Sequence, residues 1–160
     1  MISKKGKKEK VELIKIEENE FIPSERYGHS AVILEDKMYV FGGCNTDGAF
    51  LNELYSWDFK SNKWNHLKRG EGENIIWPKG RHFHSAIVYK NKMYIFAGKS
   101  NGYMNDLYSY DPRTGIWENK DTAKGELPSR RFGHSTVIHN DCKNLFHFIR
   151  IKFTNFTFNI

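Results

Sequence analysis

Three histidines and three arginines hold the positions in this 160-residue chain where chemistry could reside: His29, His84 and His134, and Arg26, Arg81 and Arg131. Three imidazoles are enough to hold a zinc ion with one position left open. Each histidine, however, stands beside a serine or its like at the start of an apolar run, which suits a hydrogen-bonded structural role instead. The arginines admit two readings. They could line a channel mouth and attract an acidic ligand, or each could clamp its own unit through an ion pair. No nucleophile elbow, phosphate-binding glycine loop or zinc-helix motif occurs, so no catalytic residue, metal or cofactor is expected and the chain reads as a non-enzyme.

The formal charge of +6 suggests nucleic acid until it is located. Residues 1–10 hold five lysines against Glu9, a net +4, and residues 143–160 contribute +3 from Lys143, Arg150 and Lys152, which leaves −1 for residues 11–142. A basic face able to follow a phosphate backbone is thus missing from the middle of the chain, and no nucleic-acid partner is expected. Cys44 and Cys142 match no metal or redox spacing, so free thiols in a reducing cytosol are expected. There is no apolar stretch of signal-peptide type at the N-terminus and none of roughly 20 residues that would insert in a membrane.

These residues are positioned by an internal repeat, and a period near 50 residues points to a repeat architecture. Pro23-Ser-Glu-Arg26-Tyr-Gly28-His29-Ser30 returns as Pro78-Lys-Gly-Arg81-His-Phe83-His84-Ser85 and as Pro128-Ser-Arg-Arg131-Phe-Gly133-His134-Ser135. Behind the first two copies come Met38-Tyr-Val-Phe-Gly42-Gly43 and Met93-Tyr-Ile-Phe-Ala97-Gly98, then Asn-Glu-Leu-Tyr and Asn-Asp-Leu-Tyr, and each unit closes on a tryptophan, Trp64 or Trp117. Short runs rich in Val, Ile, Tyr and Phe between Gly, Asn, Asp and Lys are strand-and-turn grammar. In the first unit they predict strands at 30–34, 37–41 and 53–57 and one near Trp64, joined by short turns into an antiparallel meander. Gly42, Gly43 and Gly98 end a strand where a side chain would collide, and Trp64 and Trp117 are plates able to fill the wedge between units.

The Arg-x-Gly-His-Ser opening, the Met-Tyr-Val-Phe-Gly-Gly strand end, Asn-x-Leu-Tyr and the spaced tryptophans resemble the kelch repeat over about residues 23–148. The opening is closer to Rab-effector and leucine-zipper-like-regulator kelch proteins than to the BTB-kelch adaptors. The resemblance implies an all-β fold, a partial kelch β-propeller of two complete four-stranded blades plus a truncated third. The expected divisions are a basic tail at 1–10, an edge strand and lead-in at 11–22, blades at 23–77 and 78–127, a partial blade at 128–148 and an aberrant tail at 149–160. Closing a propeller takes about four to eight blades, so the composition break after Phe148 is expected of a fragment of a larger ring, ahead of a ring completed by other copies or an open array.

A meander sends its shorter links to one face and its longer links, here 44–51, 65–80, 99–104 and 118–127, to the other. These longer links carry Asp47, Phe50, Lys68, Arg69, Trp77, Lys99 and Tyr103, a mixture suited to holding a protein partner, although Phe50 and Trp77 could instead fold inward over the blade ends. The expected function is therefore a cytoplasmic protein-interaction scaffold or adaptor of unidentified partner, with self-association through open blade faces as a further possibility. The runner-up is an inactive remnant of a galactose-oxidase-like propeller enzyme, since the kelch family includes a copper radical oxidase.

Overall fold

Strands of about five residues bounded by tight turns satisfy their backbone groups only by folding back on one another, and each repeat unit does so. A computed structural model of the chain describes residues 21–72, 75–121 and 128–137, together with the backbone of 147–149. The basic tail, the edge strand expected at 11–16, Cys142 and residues 150–160 lie outside these residues. The first sheet runs in sequence order: β1 (Ser30–Leu34), β2 (Lys37–Phe41), β3 (Leu54–Asp58) and β4 (Lys63–Leu67), each antiparallel to the next. The second repeats it with β5 (Ser85–Tyr89), β6 (Lys92–Lys99), β7 (Tyr103–Asp111) and β8 (Ile116–Asn119). A third sheet is begun by β9 (Ser135–Val137) paired with β10 (His147–Ile149).

Two details differ from the sequence expectation. The third strand lies at 54–58, one residue beyond the expected 53–57. The link expected at 99–104 is mostly strand: past an irregularity between Phe96 and Gly98 the ladder resumes with Gly98 opposite Met104 and Lys99 opposite Tyr103. Only 100–102 is left as a turn, closed by Ser100 N–H donating to the Gly102 carbonyl at 3.0 Å. The opposite turns are built on aspartate. Asp58 Oδ1 accepts from the N–H groups of Lys60 and Ser61 at 2.9 and 3.0 Å, and Asp111 Oδ1 accepts from Arg113 N–H at 3.0 Å.

The first two sheets meet face to face because alternate residues of each strand point at the neighbour. Leu34, Tyr39, Phe41 and Leu54 of the first sheet pack with Met93, Ile95, Tyr110 and Trp117 of the second in one buried cluster. Trp117 fills the wedge, with its ring centroid 5.2 Å from Phe41 and 5.1 Å from Tyr110. At the equivalent position in the first sheet, Trp64 is half-buried and packs edge-on against Trp57 at 5.4 Å. On its other face the second sheet buries Phe96, Ala97 and Leu107. Trp117 carries one liability, a buried indole N–H with no hydrogen-bond partner among the described residues. Trp117→Ala should therefore lower unfolding free energy in urea by about 3–5 kcal/mol. Trp117→Phe should lose less than about half of that, because it keeps much of the ring contact and removes the unpartnered donor.

Candidate functional site

The recurring Arg-x-x-His-Ser segment lies where successive sheets meet, and each of its residues faces a different way. Arg81 is the best developed case. Its main chain belongs to the first sheet's loops, with N–H donating to the Leu51 carbonyl at 3.1 Å and its carbonyl accepting from Gly43 N–H at 2.8 Å. Its side chain, fully buried, reaches into the second sheet, where Nη1 and Nη2 meet Asp106 Oδ1 and Oδ2 at 2.6 and 2.8 Å. Nη1 also donates to the Ala97 carbonyl at 2.9 Å, Nε donates to the Lys79 carbonyl at 3.1 Å, and the guanidinium lies 5.4 Å from the Tyr108 ring centre. Arg26 repeats the pattern on Glu53 at 2.9 Å, the Gly42 carbonyl at 3.3 Å, the Ser24 carbonyl at 3.0 Å and the Tyr55 ring. Arg131 repeats the local contact, Nε donating to the Ser129 carbonyl at 2.9 Å, and the backbone link, its N–H donating to the Met104 carbonyl and its carbonyl accepting from Gly98 N–H.

The histidine completes the latch. His84 Nε2 shares a 2.7 Å hydrogen bond with Ser30 Oγ of the preceding sheet and sets its ring edge-on to Phe41 at 5.6 Å. His134 does the same with Ser85 Oγ at 2.8 Å and Phe96 at 5.5 Å. Both rings are buried, whereas His29, at the start of β1, is exposed. Burial pushes His84 down to about 3, aided by the nearby Arg81 charge, and His134 down to about 4. The glycines leave room for this latch: a Cβ on Gly42 would stand 2.6 Å from the Arg81 carbonyl oxygen, and one on Gly98 would stand 2.8 Å from His84 Cβ. Gly28 and Gly133 adopt φ of 65° and 61°, beyond the easy reach of other residues.

This geometry revises the arginine assignment. The side chains of Arg26 and Arg81 are 4% and 0% exposed and ion-paired within their own sheets, so they are not offered to an acidic ligand at a channel mouth. The carboxylate partners, Glu53 and Asp106, went unnoticed in the sequence, although an acidic residue precedes Leu-Tyr in both complete units. The proposed partner-binding residues divide. Trp77 turns inward, donating from Nε1 to the Asn52 carbonyl at 2.7 Å and meeting Trp117 at 6.2 Å, and the half-buried Phe50 packs on His82 at 5.1 Å. Asp47, Lys68 and Arg69 are exposed, Arg69 bonding to the Ile75 carbonyl at 3.1 Å. Lys99 is half-buried at the end of β6, opposite Tyr103, which is 51% exposed. Cys44 is a buried free thiol. Among the described residues no group of three or more His, Cys, Asp and Glu side chains could hold a metal ion, and no helix is long and apolar enough to cross a membrane.

Four-stranded antiparallel meanders, packed face to face and latched through a repeated Arg-x-x-His-Ser, are blades of a β-propeller. Residues 7–150 match the KLHDC2/KLHL20/DRC7 Kelch-repeats domain, and the chain belongs to the kelch-repeat family. It is 38% identical over 94 residues to Tip elongation aberrant protein 3 of Schizosaccharomyces pombe, covering 55% of this chain and 8% of that protein. Kelch domain-containing protein 3 of Rattus norvegicus is 33% identical over 122 residues, 74% of this chain and 31% of its own length. The Leucine-zipper-like transcriptional regulator 1 homolog of Drosophila melanogaster is 38% identical over 76 residues, 48% of this chain and 8% of its own. The chain thus spans less than a third of the length of each of these relatives.

Two outcomes test the latch. Asp106→Ala leaves a fully buried guanidinium unpaired and should lower stability by about 3–5 kcal/mol in urea. Glu53→Ala, which removes a carboxylate 34% exposed, should lower it by less. Because His84 and His134 are held below their ordinary value, the unfolded chain binds protons that the folded chain refuses. Their contribution is complete above about pH 6.5 and is lost as pH falls towards about 4 and then about 3. The urea midpoint should fall across that window, and His84→Gln should flatten the decline.

Proposed function

We propose that the chain is a non-catalytic kelch scaffold of the cytosol, one that holds a protein partner on the face formed by the β6–β7 turn and the segments leading into β5 and β9. The observation that carries this reading is a contrast between the two ends of the blades. At the end bearing the β1–β2, β3–β4, β5–β6 and β7–β8 turns, opposite charges neutralise one another. Lys60 pairs with Asp36, Lys37 with Asp58 at 3.7 Å, Lys92 with Asp111 at 3.5 Å and Arg113 with Asp111 at 2.9 Å. At the other end Lys79, Lys99 and Arg130 stand around exposed Tyr103 with no ion pair among the described residues. Cations without partners beside an exposed aromatic are the composition of an interface, in which Tyr and Arg are enriched and rigid aromatic rings anchor the contact.

Of the seven residues expected to meet a partner, Asp47, Lys68, Arg69, Lys99 and Tyr103 remain suited to it, whereas Trp77 and Phe50 support the blades. An adaptor role fits this division, because the scaffold and the exposed face draw on separate residues. The double variant Lys99→Glu/Tyr103→Ala should reduce photo-cross-linked partner by roughly tenfold, with circular dichroism and melting temperature unchanged. Lys60→Ala, at the opposite end, should leave cross-linking as in the wild type. Equal yields from all three proteins would remove this face from the proposal.

A further inference from the structure

Ser24 and Ser129 stand two places before a latch arginine, and Lys79 holds that place in the second unit. In all three units the main-chain carbonyl at this position accepts from the arginine Nε, at 3.0 Å from Arg26, 3.1 Å from Arg81 and 2.9 Å from Arg131. In the first and third units the serine hydroxyl is drawn in as well, accepting from Arg26 Nη2 at 2.8 Å and from Arg131 Nη2 at 3.2 Å. The joint does not require that hydroxyl, because Arg81 makes its bidentate contact with Asp106 while lysine stands in place of serine. Ser24 is exposed, as is Glu25 after it, and neither lies in a strand. An exposed hydroxyl already one hydrogen bond from a guanidinium is placed to carry a phosphate, whose oxygens form charge-assisted hydrogen bonds with arginine.

We propose that Ser24 is a phosphorylation site that controls the first latch. A serine/threonine kinase passes the terminal phosphoryl group of a nucleoside triphosphate to Ser24 Oγ. The bond from phosphorus to the nucleoside diphosphate breaks, a bond from phosphorus to Oγ forms, and the hydroxyl proton goes to the kinase's catalytic base. The flanking residues define the class of kinase. Glu17, Glu18 and Glu20 precede the serine and Glu25 follows it, whereas the Arg26 side chain is 4% exposed and engaged, so the enzyme is one that reads acidic flanks. Ser129 shares the geometry but is followed by Arg130 and Arg131, which that class does not favour. The product carries about −1.5 to −2 charges at neutral pH. Arg26 Nη2 lies 2.8 Å from Ser24 Oγ and 2.9 Å from Glu53 Oε2, so the phosphate competes with Glu53 for one nitrogen and repels its carboxylate. Glu53 is a weak competitor, because it is 34% exposed, and exposed carboxylates hold a partner loosely. Phosphorylation therefore moves Arg26 from Glu53 to its own segment, loosening the lead-in to β1, while the Arg81 joint between the two sheets has no hydroxyl to modify.

The test treats the whole chain with an acidophilic serine/threonine kinase and ATP and locates the phosphate by tandem mass spectrometry. Phosphate should enter at Ser24 in preference to Ser129, and Ser24→Ala should lose it. A chain carrying phosphoserine at position 24, made by genetic code expansion, then reports on Arg26. Its phosphorus resonance should titrate below the ordinary second pKa of about 6 when folded and return to that value in urea. Glu53→Gln should lower the urea midpoint of the unmodified chain and shift that of the phosphorylated chain by less than about half as much, since Arg26 has already left the carboxylate. Absence of phosphate from Ser24, or labelling at Ser129 alone, overturns the site. An ordinary phosphate titration in the folded chain, or equal midpoint shifts from Glu53→Gln in both forms, overturns its control of the latch.

Discussion

Arg81 is the residue through which two blades become one body. Its main chain is stitched to Leu51 and Gly43 of the first sheet, and its guanidinium is locked onto Asp106 and the Ala97 carbonyl of the second. Burying that charge is favourable only because the pairing is bidentate and a backbone carbonyl takes a further donor. Much else in the repeat follows from the arrangement. Gly42 has no side chain because the Arg81 carbonyl passes where a Cβ would stand. His84 is neutral and buried because the same segment carries it against Phe41, where only a hydrogen bond to Ser30 is on offer. A sequence motif that looks like a cluster of reactive groups is thereby a joint, in which the Arg81 guanidinium and His84 Nε2 are taken up by structural partners.

The joint also decides how the molecule divides labour. Since the latch draws its polar contacts from within the blades, exposed side chains at the β6–β7 end such as Lys79, Tyr103 and Arg130 take no part in it. The opposite end is occupied by turns whose aspartates and lysines satisfy one another. Loops that need not hold the fold together tolerate change in composition, which is why binding residues gather on them over a rigid scaffold. Aromatic plates packed between sheets, Trp117 above all, supply that rigidity.

Strand identity and order were legible in the sequence because period-two patterning and turn residues are local signals. The strands at 30–34 and 37–41 lie where the pattern predicts them. The link at 99–104 misled because Ser, Asn and Gly there signal a turn but not how far the ladder continues beyond the irregularity at Phe96 and Gly98. The arginines were ambiguous for a related reason. Repetition marks a residue as structural or functional alike, and only Glu53 and Asp106, some 25 residues away in sequence, decide between the two. Trp77 and Phe50 were readable as either surface or cover. Their direction depends on Asn52 and Trp117 for Trp77 and on His82 for Phe50, contacts distant in sequence that no local pattern encodes.

Departures from the repeat carry as much meaning as the repeat itself. Ala97 and Phe83 both occupy left-handed backbone that the neighbouring unit reserves for glycine, and both are kept there by hydrogen bonds from adjacent segments. Their surroundings differ. Ala97 is fully buried, so its methyl group packs and a structural account is enough. Phe83 gains little burial, breaks the local preference and extends a row of rings at the surface. Residues that recur join the blades, so a side chain at a break in the repeat need not serve that joint. The exposed ring of Phe83 stands at such a break, where Gly28 and Gly133 hold the equivalent places.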